Sequence, residues 1–332
     1  MSTYGNYYLL NVILSIGKES VNFMDNSVVN NNETEPQIIY DQGDVLETIQ
    51  KYPKESFDLL ITSPPYNMGK EYEQGKPFQE YLTNQERIID ELVKYVSPKG
   101  SICWQVGNTI DTKTREVIPL DVYFYELFKK KGLFLRNRII WYFGHGLHAS
   151  NRFSGRYETI LWFTKSQDYI FNLDDVRVPS KYPGKRHFKG PKKGELSGNP
   201  KGKNPSDVWE IVLKDWENEI WNIPNVKANH REKTEHPCQY PIELVERCIL
   251  ALTNEASWIL DPFAGVGSTL LAALKTNRNA LGIELYQKYI DIGNERLEQF
   301  RKGSLKYRPI TKPIYDHTKS YLSKMPEEFK EE

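Results

Sequence analysis

Thr62-Ser63-Pro64-Pro65-Tyr66-Asn67 follows the apolar run Phe57 to Ile61, and Asp261-Pro262-Phe263-Ala264-Gly265-Val266-Gly267-Ser268-Thr269 follows Trp258 to Leu260. Each run reads as a buried strand ending in a loop of special composition. The first loop sets two prolines between a hydroxyl and an aromatic ring, so its backbone is stiff and cannot continue a ladder. The second is a Gly-rich turn that opens a helix near Ser268. Gly265 and Gly267 permit close approach of backbone to a ligand. A helix start there presents unpaired N–H groups and the positive end of a dipole. The pattern is not G-x-G-x-x-G, and it lacks the Gly-Lys-Ser/Thr of a P-loop.

Outward from these loops the chain alternates strand and helix. Gln37 to Tyr40, Phe57 to Ile61, Ser101 to Val106, Arg138 to Phe143, Thr159 to Thr164, Trp258 to Leu260 and Ala280 to Ile283 read as strands. Helical spacing runs from Asp44, over Tyr81 to Val96, Val122 to Lys131, Pro241 to Leu252, Ser268 to Thr276 and Tyr286 to Phe300. Such alternation predicts an α/β fold with a mostly parallel sheet covered on both faces. Between Tyr182 and Pro205 the composition turns to Lys, Gly and Pro. The expected divisions are an N-terminal extension (1–36), a first α/β half (37–164), an insert (165–233), a second α/β half (234–302) and a C-terminal tail (303–332).

Lys+Arg and Asp+Glu both number 44, so attraction to phosphate needs positive charge gathered on one face rather than in bulk. Hydrophobic content of 39% is enough for a substantial core and argues against global disorder. Cys103, Cys238 and Cys248 are odd in number and far apart, which favours a reducing compartment without a disulfide framework. No Cys/His cluster has zinc-ligand spacing, so no metal site is expected. The apolar run Tyr7 to Ile16 has no basic lead and is shorter than the ~20 residues a bilayer requires. A soluble, cytoplasmic protein without membrane association is expected.

The two loops together resemble the catalytic and cofactor motifs of the DNA amino-methyltransferases, which use S-adenosylmethionine. Clamp first and cofactor loop last is the order of the permuted (beta) group. The resemblance runs from about Gly43 to Arg296. It implies a circularly permuted, Rossmann-like seven-stranded methyltransferase sheet of order 3-2-1-4-5-7-6. It implies cofactor contacts from Asp261, Pro262, Phe263, Gly265 and Gly267, and an adenine-side acid at Asp44. Glu284, ending the next strand, suits hydrogen bonding to ribose hydroxyls. His236-Pro237-Cys238-Gln239-Tyr240-Pro241 resembles the segment leading to the methionine end of the cofactor, and Arg152 to Thr164 a late catalytic-half motif in which Tyr157 and Glu158 lead into the last strand.

The chemistry of the clamp follows from the amine. An exocyclic amino group is a poor nucleophile because its lone pair is delocalised into the ring. Two acceptors beside its N–H bonds orient it and stabilise the charge that develops. Ser63 offers a hydroxyl, Pro64 a carbonyl held by Pro65, and Tyr66 a face on which an extruded base can stack. In the family, a Ser-Pro-Pro-Tyr clamp mostly accompanies cytosine-N4 chemistry and Asp-Pro-Pro-Tyr adenine-N6 chemistry. Ser63 therefore points to cytosine N4 in a short duplex site, with adenine N6 as the alternative and a catalytically silent DNA-binding partner as a further one. A protein-glutamine enzyme would place the cofactor loop before the clamp.

The implied partners are double-stranded DNA, a cognate restriction endonuclease acting on the same site, and a second copy of the chain. Lys185, Arg186, Lys189, Lys192 and Lys193 are candidate phosphate contacts; the alternative is a solvated loop. Pro237-Cys238-Gln239 mimics a cytosine-C5 nucleophile motif, but its order relative to the cofactor loop is wrong for that chemistry. Trp209, Trp216 and Trp221 are read as packing rather than base-stacking. His145 and His148 sit in a Gly-hinged loop and read as surface residues.

Overall fold

The computed structural model describes residues 13–16, 19–22, 35–67, 76–111, 113–143, 149–180, 182–210, 234 and 239–307. Two compact units are present, 1–35 and 36–332. In the first, β1 (Ile13–Ile16) and β2 (Glu19–Asn22) pair antiparallel.

The second unit is built on one sheet, which has eight strands among the described residues. They are β3 (Ile38–Gln42), β4 (Phe57–Thr62), β5 (Val96–Val106), β8 (Phe134–Tyr142), β9 (Tyr157–Thr164), β10 (Val208–Glu210), β11 (Trp258–Asp261) and β12 (Asn279–Glu284). Between them a small hairpin joins β6 (Asn108–Ile110) and β7 (Val117–Pro119). The spatial order is β10-β8-β9-β5-β4-β11-β12-β3. From β3 to β8 this is the 3-2-1-4-5-7-6 order anticipated above. β9 runs antiparallel to β5 and β8; the other pairings are parallel.

β10 extends the sheet beyond the expected seven strands. It pairs parallel to β8 through Val208 and Ile140. β5 also begins earlier than the Ser97-Pro98-Lys99-Gly100 break suggests: Val96 pairs with Phe57, and the register shifts before Leu59 pairs with Ser101. The irregularity absorbs Pro98, which cannot donate to a ladder.

β4 and β11 are buried along almost their whole length, as strands covered on both faces must be. α5 (Ile242–Leu252), α6 (Ser268–Lys275) and α7 (Gln287–Arg301) follow in the C-terminal part, with Cys248, Ile249, Leu270 and Leu271 in one core cluster with Leu59 and Ile259. α1 (Val45–Thr48), α2 (Phe78–Leu92) and α3 (Leu120–Lys130) belong to the first half. Trp104 lies fully buried against Phe124 and Phe128 of α3. The short α4 (Leu173–Val176) is tied to α5 by Asn172, whose backbone N–H donates to the Ala251 carbonyl at 2.7 Å. Among the described residues no helix is long and apolar enough to cross a membrane.

Candidate active site

β4 and β11 are adjacent, so their loops leave the same sheet edge together. Asp261 ends β11 and is fully buried. Its carboxylate accepts from Thr62 Oγ1 (2.7 Å), Tyr240 OH (2.7 Å), Thr269 Oγ1 (2.5 Å) and the Phe263 backbone N–H (3.2 Å). Burial pushes the Asp261 pKa up, and the donors hold that rise back. These four bonds tie the last residue of β4, the segment before α5, the start of α6 and the loop itself into one knot. Thr62 and Asp261 stand 199 positions apart in the chain.

The rest of the Gly-rich loop is fixed from β3 and β12. Gly267 has φ +75° at the start of α6, a left-handed conformation that a β-carbon would strain. Glu284 accepts from the Gly265 N–H on Oε2 and the Tyr286 N–H on Oε1, both at 2.9 Å. The Leu285 N–H adds a third backbone donor, and the carboxylate keeps acceptor capacity for a ligand hydroxyl. Burial raises the Glu284 pKa. Tyr40 of β3 donates its hydroxyl to the Gly265 carbonyl. Gly43 donates its N–H to the Glu284 carbonyl at 3.0 Å, which sets Asp44 beside that strand end. Asp44 caps α1, accepting from the Leu46 N–H at 2.9 Å. Phe263 is half-buried, its ring edge-on to Trp104 at 6.4 Å between centroids.

The clamp follows Thr62 directly. The Pro65 carbonyl accepts from Tyr81 OH of α2 at 2.8 Å, and the Asn67 side chain pairs in both directions with the Lys76 backbone. Ser63 Oγ and Tyr66 OH are 2.9 Å apart, and Tyr66 OH donates to Glu158 Oε2 at 3.1 Å. With the Tyr66 proton directed to Glu158, Ser63 donates to the Tyr66 oxygen. Both Ser63 lone pairs are then left as acceptors. Gln105, near the end of β5, also donates its side-chain amide to Glu158 Oε2. Burial raises the Glu158 pKa, with the Tyr66 and Gln105 donors opposing.

Ser63, Pro64, Pro65 and Tyr66 thus stand beside Asp261, Pro262 and Phe263, with Gly265, Gly267, Glu284 and Asp44 continuing along the same edge. His236, His145, His148, Cys238, Trp216 and Trp221 lie outside the described residues. Trp209 packs at the margin of the core, with the Arg247 guanidinium 5.8 Å from its ring centre and its indole N–H bonded to the Ser206 carbonyl. Lys185, Arg186, Lys189, Lys192 and Lys193 are all exposed. They lie on a loop closed by the Arg186–Leu196 bridge, well apart in sequence from the clamp. Thr62, Gln105, Tyr240 and Glu158 were given no individual role by sequence reasoning. Thr62 and Gln105 share one signal, a polar side chain directly after a buried apolar run, Leu59 to Ile61 and Ile102 to Trp104.

The DNA methylase family of N6/N4 enzymes matches residues 57–295. The Type II methyltransferase M.BglII of Bacillus subtilis is 46% identical over 255 residues, 77% of this chain and 67% of that protein. In shape the chain is similar to the PvuII DNA methyltransferase (cytosine-N4-specific), with TM-score 0.59 and 20% identity over 78% of this chain and 88% of that one. It is also similar to the TTHA0409 protein of Thermus thermophilus complexed with S-adenosyl-L-methionine, with TM-score 0.53 and 24% identity over 79% of this chain and 95% of that one. The match over most of its length, together with the strand order and the paired loops, makes this chain a member of the N6/N4 DNA methylase family.

Proposed function

We propose that this protein moves a methyl group from S-adenosylmethionine to the N4 amine of cytosine in a short duplex DNA site, as the modification component of a restriction-modification system. The observation that carries the reading is the Thr62–Asp261 hydrogen bond, which sets the clamp and the Gly-rich loop side by side. The residues present fit the cofactor. Glu284 keeps acceptor capacity for a ribose hydroxyl, Phe263 offers a half-exposed ring, and Asp44 lies exposed next to the same strand end. When bound, S-adenosylmethionine supplies an electrophilic methyl on a sulfonium.

The chain's own contribution is to orient the amine. Ser63 Oγ and the Pro64 carbonyl accept its two N–H bonds, drawing the nitrogen toward a more tetrahedral form. Tyr66 stacks on the extruded base, its ring held by the bond from its hydroxyl to Glu158. The exposed Lys185, Lys189, Lys192 and Lys193 supply positive charge for DNA phosphates. Similarity to a Type II methyltransferase favours the restriction-modification setting, and Ser63 in the clamp favours cytosine N4.

The test is mass spectrometry of nucleosides from unmethylated DNA incubated with the protein and methyl-deuterated S-adenosylmethionine. Labelled N4-methylcytosine is expected. Labelled N6-methyladenine would transfer the reading to the adenine branch, and cofactor binding without any methylated base would leave a silent DNA-binding partner.

A further inference from the structure

The clamp holds a carboxylate with one oxygen unused. Glu158 stands just before the buried run of β9, with Trp141 of β8 as its register partner. Oε2 takes both the Tyr66 hydroxyl and the Gln105 amide. Oε1 accepts no hydrogen bond among the described residues. It stands beside Gly107, where a β-carbon would come within 3.3 Å of Oε1, Cδ and Cγ. Glycine at that position leaves the carboxyl its room. Glu158 is itself half-buried, so the open oxygen is not sealed into the core.

Transfer to an amine creates a need that the clamp's neutral acceptors do not meet. As the N–C bond forms, the C–S bond breaks and its electron pair stays on sulfur. The nitrogen becomes positive and must release one of its two protons. Ser63 and the Pro64 carbonyl can accept hydrogen bonds, but neither is a base near neutral pH. Asp261 is fully buried and already receives four donors. Glu158 is joined to Ser63 through a single hydroxyl, Tyr66 OH.

We propose that Glu158 is the proton acceptor of the reaction, its free Oε1 taking over, as charge develops, one of the two N–H bonds first held by Ser63 and the Pro64 carbonyl, and then the proton itself. The assignment rests on reading Ser63-Pro64-Pro65-Tyr66 as the amine clamp. Facing Glu158 are Tyr66 from the clamp, Gln105 from β5 and Trp141 from β8; among the described residues no charged side chain contributes to its proton affinity. Burial favours the protonated form and makes the carboxylate a better base than an exposed glutamate.

The experiment is single-turnover transfer from labelled S-adenosylmethionine to unmethylated bacteriophage DNA by the full chain, from about pH 4 to about pH 9. The wild-type rate should fall on the acid side, with a midpoint above the ~4.3 of an ordinary glutamate. Glu158→Gln should lower the rate about 100-fold and abolish that acid limb, with cofactor affinity and melting temperature unchanged. Should that variant fail to fold, Tyr66→Phe removes one donor to Oε2 and should move the limb to higher pH. A wild-type profile without an acid limb overturns the assignment. So does a Glu158→Gln enzyme that keeps the wild-type midpoint, whatever its rate. Ser63→Ala separates the two readings: if it is slow while Glu158→Gln matches wild type, only the acceptor falls, and if Ser63→Ala matches wild type, the clamp reading itself fails.

Discussion

Asp261 and Glu158 are two carboxylates at one sheet edge, held in opposite ways. Asp261 is fully buried and accepts from three hydroxyls and a backbone N–H. Glu158 is half-buried and accepts twice on one oxygen, leaving the other open. Burial raises the proton affinity of both. Perturbed acidity therefore does not separate structure from chemistry here; free acceptor capacity does. A carboxylate whose oxygens are filled by its own fold sets the geometry of its neighbours. One with an open oxygen can meet a substrate.

The contrast breaks most sharply at Asp261. Asp261→Ala strands Thr62, Tyr240, Thr269 and the Phe263 N–H around a cavity, and should cost about 3 kcal/mol of stability, read by urea unfolding. It should also weaken S-adenosylmethionine binding in calorimetry, because the loop loses its anchor. Wild-type stability together with wild-type affinity would remove Asp261 from its place as the tie between the loops.

Ser63→Ala should act in the opposite register. Cofactor affinity should stay near wild type while single-turnover transfer falls about 100-fold, since the lost acceptor matters chiefly at the transition state. A rise in cofactor Kd with an unchanged rate would assign Ser63 to binding.

Thr62→Val tests the link itself. It deletes the side-chain hydrogen bond from Thr62 to Asp261 and should cost about 1 kcal/mol, with a smaller loss of rate than Ser63→Ala. A loss of rate as large as that of Ser63→Ala would mean that the clamp's position depends on this bond. The smallest effect is expected away from both carboxylates. Lys192→Gln with Lys193→Gln should flatten the slope of log affinity for DNA against log salt by about 1.8, roughly 0.9 per phosphate contact. An unchanged slope makes both lysines bystanders.

Much of this was legible in the chain. The seven strands were visible as apolar runs, and their spatial order from β3 to β8 is the one that the resemblance to the permuted amino-methyltransferases implies. Buried parallel strands advertise themselves as near-continuous apolar segments. β10 was not legible: three residues, Val208–Glu210, carry no period, and their pairing depends on Ile140 in a distant strand. At the site, Ser63, Asp261, Phe263 and Glu284 stood out because they flank special backbone. Their hydrogen-bond partners did not. Thr62 meets Asp261 across 199 positions, and Gln105 meets Glu158 across 53; such pairings come from sheet register, which local pattern does not contain. Glu158 could be placed before its strand from sequence, while its open oxygen is a property of the packed clamp.

The most direct measurement is a crystal structure of the full chain with S-adenosylhomocysteine bound. The ribose hydroxyls should lie on Glu284, the adenosine against Phe263, and the sulfur should face Ser63 across the gap between the two loops. A ligand bound away from Phe263, or one whose sulfur points away from Ser63 and Tyr66, would contradict the convergence of clamp and cofactor loop on a single reacting centre.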